Sequence, residues 1–184
     1  MNSEAAVDFL VDRTNLAECR FVSAPAPADV ELAPGDVLVA VDRFALTANN
    51  VTYAVAGDML SYWSFFPAES GFGRIPVWGF GDVVRSNHDR VPEGERVYGY
   101  FPISSWLVIR PASVTPGGIV DGSAHRAALP PIYNQYLRTA ADPMYAREHE
   151  DLLMLFRPLF LTAFLLDDFL AESDLCGAEA VLLT

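Results

Sequence analysis

The chain has 184 residues, a formal charge of −12 at pH 7 and a hydrophobic fraction of 52%, enough apolar material for one sizeable core and too much for a disordered segment. Its cations are all arginines, and acidic residues outnumber them 24 to 12, so the overall field opposes nucleic acid as a partner. Cys19 and Cys176 are too few for a disulfide framework or a structural zinc cluster, and Met1-Asn2-Ser3-Glu4-Ala5 has no basic, apolar leader character, which points to a reduced, cytoplasmic setting.

The first expected strands are Val7-Asp8-Phe9-Leu10-Val11 and Glu18-Cys19-Arg20-Phe21-Val22, with a linker-like turn at Ala24-Pro25-Ala26-Pro27. Pro34-Gly35-Asp36 turns the chain into a long β-rich run from Val37 to Leu46. Residues 47–58 start polar, become apolar and reach Gly57, the pattern of a short helix. Four aromatics stand within Tyr62-Trp63-Ser64-Phe65-Phe66-Pro67; they either wall a flat pocket or plug a core.

Asp82-Val83-Val84-Arg85-Ser86 reads as a strand. Val91-Pro92-Glu93-Gly94-Glu95 is a tight turn into Arg96-Val97-Tyr98-Gly99-Tyr100-Phe101-Pro102, and Trp106-Leu107-Val108-Ile109-Arg110 is a further strand. Short strands broken by Gly and Pro predict a small barrel or sandwich over the first 115 residues or so. In residues 115–151, Ala127-Ala128-Leu129-Pro130-Pro131 and Tyr133-Asn134-Gln135-Tyr136-Leu137-Arg138 suggest irregular structure around a short helix.

From Leu152 to Ala171 apolar residues recur at three- and four-residue steps, a helix that Pro158 bends or starts. Arg157, Pro158, Asp167 and Asp168 interrupt it, which makes it a core helix and not a membrane span. Ala180-Val181-Leu182-Leu183-Thr184 reads as a buried strand.

Three segments carry a resemblance to the N-terminal, GroES-like domain of medium-chain dehydrogenase/reductases, the quinone-reductase branch in particular. They are Pro34-Gly35-Asp36-Val37-Leu38-Val39, Gly94-Glu95-Arg96-Val97-Tyr98-Gly99 and Leu161-Thr162-Ala163. A finer resemblance, over residues 46–68, 75–80, 95–102, 125–143 and 157–170, is to the uncharacterised DUF2855 family.

These likenesses imply an α+β, mainly β fold in three parts. A GroES-like barrel covers residues 1–115, a family-specific irregular insertion 116–150, and a helix with the first strand of an absent Rossmann domain 151–184. They further imply a zinc-independent, NADPH-dependent reductase of carbonyl-conjugated alkenes, quinones or related compounds, truncated and inactive as these residues alone. Zinc-dependent relatives carry a Cys in the segment matching 45–52 and a His after the glycine matching Gly79; this chain has no Cys there and has Phe80.

The candidate site residues are Asn49, Asn50 and Tyr53. On a helix, residues three or four apart share a face, so an amide and a phenol there can meet a substrate carbonyl and stabilise a developing enolate. The alternative is a capping Asn and a buried, satisfied Tyr. Thr162 either touches the nicotinamide side of the cofactor, as the resemblance implies, or bonds back to the carbonyl four residues earlier.

Arg138 and Arg157 read as structural partners of Asp142, Asp167 or Asp168, and His88, His125 and His149 as isolated structural or surface residues. The expected partner is a small-molecule substrate, with homo-oligomerisation left open. The rival reading is a non-enzymatic GroES-like binding or assembly module that docks through an apolar C-terminal helix.

Overall fold

Two glycines in the left-handed region set the frame: Gly35 at φ +86° and Gly94 at φ +83°, conformations that a side chain would strain. Each leads directly into a major strand, as the Pro-Gly-Asp and Pro-Glu-Gly signals predict. The computed structural model describes residues 5–180. Its strands are β1 (Val7–Asp12), β2 (Cys19–Ser23), β3 (Val37–Ala45), β4 (Phe72–Gly73), β5 (Pro76–Ser86), β6 (Arg96–Pro102), β7 (Trp106–Ile109), β8 (Pro111–Val114), β9 (Gly118–Asp121) and β10 (Gln135–Arg138). The helices are α1 (Ala48–Val55) and α2 (Glu150–Glu172), and the fold is α+β, mainly β, as expected.

A small sheet has the order β2-β1-β4, and a larger antiparallel sheet has the order β7-β3-β5-β6-β10-β9-β8. The edge strands β7 and β8 are consecutive in sequence, with only Arg110 between them. A sheet whose first and last strands are joined so closely must curl; the Gly122 N–H donates to the Arg110 carbonyl at that corner. Inside the curl lies an apolar core of Val37, Val39, Val77, Val83, Val97, Phe101, Ile109, Ile119 and Tyr136.

Three expectations need correction. The stretch expected to be irregular around a short helix supplies β9 and β10 instead, which pair with each other and join the sheet through β6. Tyr136 is fully buried while Gln135 is exposed, the alternation of a strand, and the Tyr136 hydroxyl donates to the Tyr100 carbonyl at 2.8 Å. Pairing partners far along the chain decided this segment, which local propensity does not foresee.

Helix α2 begins at Glu150 and runs through Pro158, so the proline does not start it. Nor is it a core helix. Only Glu150 and Met154 are buried, and Phe160 is 68% exposed, because β3 and β5 meet only the first part of a 23-residue helix. No described helix is long and apolar enough to cross a membrane. Of the strand expected over Ala180–Thr184, residues 181–184 lie outside the described residues.

Helix α2 is held by charge at its first residue. Glu150, fully buried, receives Arg96 Nε at 2.5 Å and Nη2 at 2.7 Å, and the Tyr145 hydroxyl at 2.7 Å. Arg96 also reaches Asp42 at 2.6 Å and Asp82 at 2.9 Å, tying α2 to β3, β5 and β6 at once. Burial alone would raise the Glu150 carboxyl, but hydrogen bonds from Arg96 and Tyr145 and the charges of Arg96 and Arg43 outweigh it and hold the pKa below the usual carboxylate value.

Glu150→Gln removes the charge that Arg96 and Tyr145 hydrogen-bond, while Asp42 and Asp82 still face the guanidinium, so it is expected to cost about 2 kcal/mol of unfolding free energy, read by urea denaturation. Because the folded pKa is depressed, Glu150's contribution is full above the ordinary carboxylate pKa and is lost as pH falls through the folded value. The wild-type advantage over Glu150→Gln should therefore shrink on acidification; an advantage that does not change with pH would refute the assignment.

Candidate functional site

The N-terminus of α1 is built from a short polar exchange. Thr47 is extended, at φ −131° and ψ 172°, and both its N–H (2.6 Å) and its hydroxyl (3.2 Å) donate to Asn50 Oδ1. Asn50 Nδ2 donates in turn to the Pro76 carbonyl at 2.8 Å. Asn50 is buried, so its amide serves as an anchor between α1 and the start of β5 and is not offered to solvent.

Asn49 and Tyr53 are placed differently. Together with Ala45, Thr47, Ala48, the bonded Asn50, Trp78, Met154, Leu155, Pro158 and Leu159 they line a cleft of about 230 Å³ between α1 and α2. Asn49 is exposed and its side chain makes no hydrogen bond among the described residues, which leaves both donors of the amide and its oxygen available. Tyr53 is half-buried. Burial and the nearby Tyr62 phenol push its pKa above the ordinary value, against a smaller opposing effect of Trp78 and Tyr100, so it is a protonated donor at neutral pH.

Behind Tyr53 stands a set of touching aromatics. Its ring lies 4.7 Å from Tyr62 and 6.0 Å from Tyr100, and Tyr100 lies 4.7 Å from Tyr133 and 4.9 Å from Trp78. Burial, then the neighbouring phenols, raise the Tyr100 pKa strongly, and its hydroxyl is buried without a partner among the described residues. The aromatic run at 62–66 divides between these roles: Trp63, Phe65 and Phe66 are buried in the core, whereas Tyr62 keeps some exposure.

Thr162 does not join the cleft. It is exposed, and its hydroxyl donates to the Pro158 carbonyl at 3.1 Å, the back-bonded state of a mid-helix threonine. Arg157 pairs with Asp142 at 2.5 Å, and Arg138 pairs instead with Glu95. His125 lies between two other clefts, its pKa lowered mainly by burial. Among the described residues no three His, Cys, Asp or Glu side chains converge as metal ligands.

Sequence reasoning missed Trp78. The available signal was alternation within Pro76-Val77-Trp78-Gly79-Phe80, which puts Trp78 opposite Tyr100 and Phe80 opposite Tyr98 across β5 and β6. Of these cross-strand aromatics, Trp78 lines the cleft.

The two asparagines should separate on substitution. Asn50→Ala removes three hydrogen bonds at a buried site and is expected to lose about 2 kcal/mol, whereas Asn49→Ala should stay within about 0.5 kcal/mol of wild type. Chemical denaturation of both variants checks this, and equal losses would overturn the division of roles.

No curated protein matches the chain. A family model described as a protein of unknown function (DUF2855) matches residues 44–184, a span that includes α1, Trp78, the Arg96–Glu150 pair and α2. With that match extending over well more than half of its length, the chain belongs to the DUF2855 family.

Proposed function

We propose that the cleft between α1 and α2 takes a small conjugated carbonyl compound, an enone or quinone, and that the chain is the substrate side of a zinc-independent reductase. The observation that carries this reading is the pairing of an unbonded Asn49 amide with a protonated Tyr53 phenol in a mainly apolar cleft whose other polar residues, Thr47 and Asn50, are already hydrogen-bonded. Both donate hydrogen bonds to the substrate carbonyl oxygen. Because they are held by α1 in advance, they stabilise the negative charge that accumulates there as the conjugated bond is reduced. Trp78 and the apolar side chains of α2 cover the flat remainder of the substrate.

The reaction class comes from the likeness of three segments to GroES-like domains of quinone reductases, which also brings in NADPH as hydride donor. The described residues do not fit that cofactor. A dinucleotide needs free N–H groups at a helix N-terminus, usually after a glycine-rich turn. The first turn of α2 carries Glu150 and Asp151, which repel pyrophosphate, and the Thr162 hydroxyl is committed to Pro158. In this reading NADPH is held by other residues, and the 184 residues alone neither bind it tightly nor turn over.

The exposed apolar side of α2 favours a second reading, a non-enzymatic assembly module. Phe160, Phe164, Leu165 and Phe169 are each more than half exposed, and apolar surface on that scale promotes association.

Cyclohexenone is expected to quench tryptophan fluorescence and to bind more tightly than cyclohexene. Tyr53→Phe should weaken it roughly tenfold, the value of one hydrogen bond, without changing stability. Equal affinity for the two compounds, or no effect of Tyr53→Phe, would sink the reductase reading. For the second reading, sedimentation should show self-association that the Phe160→Glu/Phe164→Glu double variant abolishes; a monomer at all concentrations counts against it.

A further inference from the structure

A second cleft, of about 270 Å³, lies on the far side of Trp78 and Pro158 from the first. Trp78, Tyr98, Ile132, Leu137, Phe160 and Leu161 make its walls mainly apolar, Gln135 adds an exposed amide, and Arg157 supplies its charged group. Arg157 bonds Asp142 through one nitrogen at 2.5 Å; its other N–H groups have no acceptor among the described residues. The guanidinium lies 5.0 Å from the centre of the Tyr98 ring. Tyr98 is only 3% exposed, and its hydroxyl is buried with no hydrogen-bond partner among the described residues. The Arg157 charge opposes the rise that burial imposes on this phenol, and both side chains line the cleft.

Two donors without acceptors, enclosed by apolar walls, call for a ligand oxygen. Charge selects which kind. Asp142 already neutralises Arg157, and its second oxygen accepts the Met144 N–H at 3.0 Å. An incoming carboxylate would therefore meet a like charge across the guanidinium, whereas a neutral carbonyl would meet the Arg157 and Tyr98 donors without that repulsion.

We infer that this second cleft is a binding site for a neutral, flat, apolar molecule with a carbonyl oxygen at one end, held by Arg157 and Tyr98 and separate from the Asn49–Tyr53 cleft. The aryl body lies against Trp78, Leu137 and Leu161. Because Trp78 and Pro158 border both clefts, a ligand here sits one side chain away from the first site. The inference does not rest on the reductase reading, since none of its polar groups belongs to the first cleft.

The test uses three probes of one shape: acetonaphthone, ethylnaphthalene and naphthoate, titrated by calorimetry. Acetonaphthone should bind roughly tenfold more tightly than ethylnaphthalene, and naphthoate should bind no better than the hydrocarbon. Tyr98→Phe removes a hydroxyl that bonds nothing, so the variant should fold as well as wild type and yet lose part of the ketone preference. Arg157→Met should abolish the preference, and Leu161→Trp should block all three probes by filling the cleft. Equal binding of the ketone and the hydrocarbon, or retention of the preference in Tyr98→Phe and Arg157→Met, would overturn the proposal. A preference lost in Tyr53→Phe but kept in Arg157→Met would place the ketone in the first cleft, leaving the reductase reading in force without this one.

Discussion

The buried contact between Arg96 and Glu150 is the constraint on which the candidate site depends. Two parallel hydrogen bonds join the guanidinium to the first residue of α2, and the same guanidinium reaches carboxylates on β3 and β5. A bidentate Arg–carboxylate pair fixes orientation as well as distance. It sets the direction in which α2 leaves the sheet, and with it the gap between α1 and α2 that becomes the first cleft. Net stabilisation from such a cluster is modest once desolvation is counted; its geometric effect is large.

The sheet supplies the rest by its curvature. Joining β7 to β8 through Arg110 closes the core against solvent, and a second fully buried arginine, Arg126, locks the late segment. It pairs with Asp121 at 2.8 Å and donates to the Tyr133 carbonyl at 2.6 Å and the Tyr136 hydroxyl at 2.9 Å. These bonds hold the 3-10 turn at Pro131–Asn134 against the sheet, and so position Tyr133 beside Tyr100 and Trp78. Gly99 lets this happen: a Cβ there would stand 2.4 Å from the Tyr136 ring, so only glycine admits that ring under β6.

Trp78 is where these effects meet. It stacks on Tyr98 at 5.6 Å and 11°, borders both clefts and lies beneath Pro158 of α2. Small changes in how α2 leans on the sheet would alter both clefts together, because they share this side chain. Beyond Pro158 the helix carries its apolar residues into the open. That is an unusual state for Phe and Leu in such number, and one that favours contact with further protein surface.

The strands β1, β2, β3, β6 and β7, the later part of β5, the glycine turns into β3 and β6, the short helix after β3 and the helical period of 152–171 were legible in the sequence, because each rests on local chemistry: turn residues, alternation and spacing. So was the shared face of Asn49 and Tyr53. Only the tertiary structure decided that Asn50 bonds Pro76, 26 residues away, that 135–138 is a strand and not a helix, and that Thr162 and most of α2 lie outside the cleft. Those outcomes depend on partners distant in sequence, on which strand lies beside which and how far a sheet extends beneath a helix, and no local pattern of side chains encodes them.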